Sequence, residues 1–140
     1  MFMGEYDHTI DGKGRLIVPA KFRDQLGDEF VVTKGLDGCL FIYDNTEWAK
    51  LEEKIINLPL SNQNARKFSR LLLAGATLCE VDKQGRILLP AVLRKHANLE
   101  KDVALVGVGS RIEIWNKTAW DEMNEYDVDE MAVNMEGLGI

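Results

Sequence analysis

The chain has 140 residues, 46% apolar and 29% charged, with a formal net charge of −6. That length suits one domain or two small ones, and the composition is that of a globular protein rather than a disordered or fibrous one. Cys39 and Cys79 lie inside apolar runs, which speaks against a disulfide scaffold, and no apolar run approaches the ~20 residues that span a bilayer, so the expected compartment is the cytoplasm.

The elements follow in chain order. A strand is expected over 6–10 and a tight turn over 11–14, where Asp11, Gly12 and Gly14 can supply positive φ. A second strand over 15–18 carries the run Leu16-Ile-Val18, which suggests burial on both faces. Pro19 ends that strand and suits the first position of a short helix through Leu26, stopped by Gly27. Segments 30–33 and 39–43 pair across a 34–38 turn. Asp44 or Asn45 should cap the next helix, with Trp48, Leu51 and Ile55 on one face.

Segment 61–75 has the pattern of an amphipathic connecting helix. Ala65, Phe68, Leu71 and Leu72 share one stripe, Arg66, Lys67 and Arg70 the other, and Gly75 is placed as a C′ residue. The earlier order then recurs: strand 78–81, turn 82–85, strand 86–89, a helix from Pro90, strands 103–106 and 111–115, and a helix over 116–126. Arg111-Ile-Glu-Ile-Trp115 alternates polar and apolar residues, so one face of that strand should be wet. Beyond Tyr126 the chain is acidic but carries Met131, Val133, Met135 and Leu138, the pattern of a mobile tail or a weakly packed helix that can dock on a neighbour.

The recurrence extends to single residues. Asp11-Gly-Lys-Gly-Arg15-Leu-Ile-Val-Pro19-Ala-Lys-Phe-Arg23 returns as Asp82-Lys-Gln-Gly-Arg86-Ile-Leu-Leu-Pro90-Ala-Val-Leu-Arg94, 71 positions later. Ile42-Tyr-Asp-Asn-Thr-Glu-Trp48 is answered by Ile114-Trp-Asn-Lys-Thr-Ala-Trp120 at an offset of 72. One supersecondary unit is therefore present twice. The expected division is a first repeat over 1–58, a connecting helix over 59–76, a second repeat over 77–126 and an acidic tail over 127–140. Each repeat alone would have a meagre core, so the two should pack together or across subunits.

Charge is distributed unevenly. Residues 121–140 hold seven acids and no Lys or Arg, and the remainder of the chain holds 17 basic and 16 acidic residues. Lys13, Arg15, Lys21 and Arg23 against Asp11 give 10–23 a local charge of +3, and Lys83, Arg86, Arg94 and Lys95 against Asp82 give 82–95 the same. Local fields decide whether phosphate is attracted, so the acidic total excludes no polyanionic partner.

A single Asp-x-x-x-Arg turn is explained by an aspartate that shapes the turn and pairs with the arginine. Duplication explains the repeated Gly14 and Gly85, the prolines and the apolar residues. It does not explain two long cationic side chains, Arg15 and Arg86, kept at the turn exits. A guanidinium suits bidentate binding of phosphate or of the guanine edge, and a two-stranded ribbon is narrow enough for a major groove. Lys13 and Lys83 would engage phosphate. Arg23 and Arg94 fall near helix C-termini, where the helix dipole alone accounts for them, and rank as auxiliary. Arg66, Lys67 and Arg70 either extend the basic surface or form a solvated face. Trp48, Trp120, Tyr43 and Trp115 recur at equivalent places, as core or interface aromatics would. His8, His96, Cys39 and Cys79 lack metal-ligand spacing. With no phosphate loop or nucleophile elbow either, neither cofactor nor metal nor enzymatic activity is expected.

The doubled pattern Asp-x-x-Gly-Arg-φ-φ-φ-Pro-x-x-φ-Arg, with φ apolar, resembles the AbrB/MazE-like swapped-hairpin DNA-binding superfamily. Two such units in one chain of this length, opening Met1-Phe-Met-Gly-Glu-Tyr-Asp-His-Thr-Ile-Asp-Gly-Lys-Gly-Arg15-Leu, are similar to the MraZ family of bacterial transcriptional regulators. The resemblance runs to about Tyr126. It implies an α+β, mostly β fold: tandem AbrB-like swapped hairpins forming a pseudo-two-fold barrel with short helices, and subunits assembling into a closed ring. It also implies binding to double-stranded DNA at short direct repeats in the promoter of the family's own division and cell-wall operon, as a nucleoid-associated repressor, with Arg15 and Arg86 as DNA contacts and Asp11, Gly14, Asp82 and Gly85 shaping the turns. Lys83-Gln84 replaces Gly12-Lys13 in the second turn, so the two turns need not contact DNA equally. Two rival readings stand beside this one. The first is a protein-binding module of the antitoxin type that uses the acidic tail. The second is an enzyme acting on a phosphorylated or acidic substrate around Asp11 and Arg15, for which no nucleophile or metal cage is present.

Overall fold

A computed structural model describes all 140 residues. In the first repeat, β1 (Phe2–Thr9) leads through the 11–14 turn to β2 (Arg15–Ile17) and helix α1 (Ala20–Leu26); β3 (Glu29–Lys34) and β4 (Leu40–Tyr43) then precede helix α2 (Asn45–Ile56). The connecting segment is helix α3 (Gln63–Ser69), continued by a π-helical turn over Arg70–Ala74. The second repeat supplies β5 (Thr77–Glu80), β6 (Arg86–Leu88), α4 (Ala91–His96), β7 (Asp102–Gly109), β8 (Ile112–Asn116) and α5 (Lys117–Met123). A last helix, α6 (Val128–Met135), ends in a short 3₁₀ turn.

The fold is α+β, built on antiparallel strands. Six of them form one sheet in the order β1-β7-β8-β4-β3-β5, and β2 pairs with β6 in a separate ribbon. Exchanging each strand for its counterpart in the other repeat reverses the sheet order and leaves it unchanged, which is a pseudo-two-fold relation. The axis passes through Phe41↔Glu113 in the sheet and Leu16↔Ile87 in the ribbon. The first strand of each repeat pairs with the other repeat: β1 with β7, and β5 with β3. This is the swapped arrangement, and it means that neither repeat closes its own sheet. The ribbon joins β1 through the Ile10–Leu16 bridge, and each ribbon strand reaches the opposite turn, Val18 N–H donating to Gly85 O (3.0 Å) and Leu89 N–H to Gly14 O (2.9 Å).

Two cores lie on opposite sides of the sheet. Phe30, Val32, Leu40, Ile42, Val103, Leu105, Ile112 and Ile114 face Leu16, Val18, Ile87 and Leu89 of the ribbon segments and Phe22 and Leu93 of α1 and α4. On the other face, Cys39, Phe41, Tyr43, Ala104, Val106 and Trp115 pack beneath α2, α3 and α5 through Ile55, Leu72, Trp48, Phe68 and Trp120. The recurring aromatics serve here as equivalent pairs, Tyr43–Trp48 with centroids 6.0 Å apart and Trp115–Trp120 at 5.5 Å. Asp44 caps α2 as expected, its Oδ1 accepting from the Glu47 N–H at 2.8 Å. Burial pushes the Cys39 thiol far above its ordinary range and that of Cys79 up to about 11, so both behave as small apolar residues.

Three local expectations are corrected. Strand β8 has no wet face: it lies between β4 and β7, and α2 and α5 cover the side on which Glu113 projects. That buried carboxylate accepts from Arg111 Nε and Nη2 (3.0 and 2.8 Å) and from Trp115 Nε1 (3.0 Å), and the Arg111 guanidinium lies 4.6 Å from the Phe41 ring centre. Gly75 is not a left-handed cap, since its φ is −79. A Cβ there would fall 2.6 Å from Leu71 O and 3.0 Å from Lys34 Cγ, so close backbone approach is what requires glycine. The π turn before it is held by the buried Thr33 hydroxyl, which donates to Leu72 O at 2.7 Å. Finally, the ribbon strands are buried on one face only, with Leu16 and Ile87 inside and Ile17 and Leu88 exposed.

Candidate nucleic-acid interface

The two Asp-x-x-x-Arg turns are built alike. Asp11 Oδ1 accepts from the backbone N–H groups of Lys13 and Arg15, both at 2.9 Å, and Oδ2 accepts from Arg15 Nε at 2.7 Å. Asp82 accepts from the N–H groups of Gln84 (2.8 Å) and Arg86 (2.9 Å) and from Arg86 Nε at 2.8 Å. The backbone closes each turn through Gly14 N–H to Asp11 O and Gly85 N–H to Asp82 O, both 3.0 Å. Gly14 and Gly85 take φ of 85° and 79°, the left-handed conformation that glycine adopts without a steric penalty.

One carboxylate thus shapes the turn and pins the arginine at its exit. The Arg15 N–H chiefly, with the Arg15 guanidinium and the Lys13 N–H, holds the Asp11 carboxyl down to about 2, and Asp82 is lowered by the same groups of its own turn. The pin uses Nε, so the two terminal nitrogens of Arg15 and of Arg86 make no hydrogen bond within the chain. Both side chains remain accessible, at 34% for Arg15 and 25% for Arg86.

The ribbon carries both arginines on one face. Its register pairs Arg15 with Leu88 and Ile17 with Arg86. Strand alternation sends Leu16 and Ile87 into the core, leaving Arg15, Ile17, Arg86 and Leu88 on the outer face. Ile17 is 43% exposed and Leu88 61%. The run of apolar residues suggested burial on both faces. With the six-stranded sheet beneath it and nothing above, a two-stranded ribbon buries only one.

The swap also relocates the second arginine of each motif. Arg23 Nε donates to Val18 O (2.9 Å), and its guanidinium lies over Gly85 of the other turn, where a Cβ would come within 2.8 Å of Cζ. Arg94 Nε donates to Leu89 O (3.0 Å) and covers Gly14, at 2.9 Å from the position of a Cβ. Each turn therefore gathers cations from both repeats: Arg15, exposed Lys13 and Arg94 at one, Arg86, exposed Lys83 and Arg23 at the other. Linear spacing gave no sign of this exchange, because it follows from the strand swap. Arg66, Lys67 and Arg70 do not extend the surface. They sit on the connecting helix, which packs on the opposite side of the sheet from the ribbon, and Arg66 Nη1 is bonded to Leu60 O at 2.8 Å.

The family model described as "MraZ protein, putative antitoxin-like" matches the chain twice, over residues 1–71 and 72–136. Among similar proteins, one from Lachnoclostridium phytofermentans is 60% identical over 141 aligned residues, covering all of this chain and 99% of its own. Others from Thermoanaerobacter sp. (strain X514) and Caldanaerobacter subterraneus subsp. tengcongensis are 56% and 54% identical over 143 aligned residues, with full coverage of both chains. All three bear the name "Transcriptional regulator MraZ". A doubled family match spanning both turns, together with full-length relatives of this identity, establishes that the chain belongs to the MraZ family.

Proposed function

We propose that the protein is a transcriptional regulator that binds double-stranded DNA through the outer face of the β2–β6 ribbon. One observation carries this reading: two arginines, each pinned by an aspartate through Nε, stand on the same ribbon face with their terminal nitrogens unengaged. In an antiparallel ladder such diagonal neighbours are about 7–8 Å apart. Two base-pair steps span ~7 Å, so the arginines can address bases two steps apart. The pin holds each guanidinium plane in place, which lowers the side-chain entropy cost of binding. Lys13 and Lys83, with Arg23 and Arg94 beside the opposite turns, supply positive charge towards the flanking phosphates.

On this reading the protein represses its own division and cell-wall operon from the nucleoid by binding short direct repeats in the promoter. One ribbon offers only a few base contacts and hence modest affinity. A closed homo-oligomeric ring presenting several ribbons to successive repeats raises avidity where repeat spacing matches ring geometry. The first turn, with Gly12, Lys13 and Gly14 at its tip, is the stronger contact. Footprinting of the purified protein on its own upstream region tests the proposal: evenly spaced short protected segments are expected, and uniform or absent protection would overturn it. The logarithm of the binding constant should also fall linearly with log salt, with a slope of roughly −0.9 per neutralised phosphate.

A further inference from the structure

The acidic C-terminal helix and a basic apolar groove stand unpartnered on the same chain. Val128, Met131, Ala132 and Met135 of α6 recur at i, i+3, i+4 and i+7, the spacing of an amphipathic helix face. From Asp121 to Ile140 every residue is exposed except Met135, which is half-buried. A helical face of this kind gains stability only when its apolar stripe is covered. Asp129 and Glu136 flank the stripe, Glu130 turns to the opposite side of the helix, and residues 121–140 contain no basic side chain.

The groove lies where the end of α2 meets the connecting helix. It has a volume of about 330 Å³ and is lined by Ile56, Leu58, Leu60 and Leu73 with Arg66 and Arg70 at its edge. Ile56 and Leu60 are 66% and 84% exposed, unusual for branched aliphatic residues that sit together. Arg66 is tied to Leu60 O, whereas Arg70 is exposed and has no partner within the chain.

We infer that helix α6 of one subunit docks in this groove on a second copy of the chain, its apolar stripe on Ile56, Leu60 and Leu73 and its acids against Arg70 and Arg66. The charges are complementary, and the apolar stripe of α6, like the exposed apolar residues of the groove, lacks a partner within a single chain. Because the helix and the groove are different patches, the contact is heterologous: each copy offers a helix to the next and a groove to the previous one, and such contacts form a ring when the rotation between copies closes. The inference rests on the self-association proposed above and names the surfaces that produce it.

Sedimentation equilibrium of full-length variants at several concentrations tests it. Arg70→Glu, and separately Asp129→Lys/Glu136→Lys, should each weaken association about tenfold or more, the scale of a truncated interface anchor. Combining the three substitutions should restore most of it, and deleting 127–140 should weaken it at least as much. A wild-type chain that stays monomeric would refute both the ring and the docking. Association unaffected by the tail deletion or by Arg70→Glu, or weakening by the separate variants without rescue in the combined one, would refute the docking alone. Far-UV circular dichroism of each variant excludes unfolding as the cause.

Discussion

Gly14 and Gly85 occupy equivalent places in the two turns but should differ in their tolerance of alanine. Both hold left-handed backbone, which costs an alanine about 1–2 kcal/mol. Reduced entropy of the unfolded chain returns ~0.4–1 kcal/mol of this. At Gly85 the three atoms nearest the new Cβ all belong to the guanidinium of Arg23, the movable end of a long side chain, at 2.8 to 3.2 Å. At Gly14 it meets Arg94 at 2.9 Å and also the backbone carbonyl of Leu89 at 3.0 Å. That carbonyl belongs to the residue whose N–H bonds Gly14 O at 2.9 Å, so relief of the clash strains a bond worth roughly 0.5–1.5 kcal/mol. Gly85→Ala should therefore cost about 1 kcal/mol and Gly14→Ala about 2 kcal/mol. Urea unfolding at one protein concentration, with unchanged m values, measures both. Equal destabilisation, or a stabilised Gly14→Ala protein, would refute the geometry assigned to the swapped arginines.

Other outcomes follow from the same structure. Asp11 has a folded pKa of about 2 against 3.8 for the free side chain, so its contribution to stability is present above pH 4 and is lost as the pH falls from there towards 2; a carboxyl titration by NMR with a midpoint near 4 would contradict the pinned turn. Arg111→Met leaves the Glu113 carboxylate buried with Trp115 as its one remaining donor and should destabilise the fold by about 2–3 kcal/mol, less than for a fully buried pair because Arg111 is partly exposed. Adding Glu113→Leu should recover most of that stability in chemical denaturation; failure to recover would mean that packing against Phe41, not charge, dominates. Thr33→Val removes the hydroxyl that serves Leu72 O and should cost about 1–2 kcal/mol, with faster hydrogen exchange across the 70–74 turn as the local readout.

The repeat was legible in the sequence because duplication preserves residue identity at fixed offsets, and the turn chemistry was legible because Asp, Gly and Arg act there within four residues of one another. Strand and helix order followed from periodicity and capping. Contacts set by the swap were not legible. No linear pattern places Arg23 over Gly85 or Arg94 over Gly14, since those contacts exist only once β2 pairs with β6 and each ribbon strand reaches the opposite turn. Glu113 was misplaced for a related reason: alternation implies a wet face only on a sheet with one side uncovered, and helices cover this one. Ile17 and Leu88 went the other way, because an apolar run does not reveal that its strand has a partner layer on one side only.

On the proposed function, Arg15 and Arg86, pinned by their aspartates on one ribbon face, bind DNA. Fluorescence anisotropy with a labelled duplex from the protein's own upstream region, at fixed physiological salt, tests it most directly. Arg15→Ala and Arg86→Ala should each weaken binding by about 1–3 kcal/mol for every base that the arginine engages, the first more than the second, with oligomer mass and circular dichroism unchanged. Wild-type affinity in both variants would contradict the account.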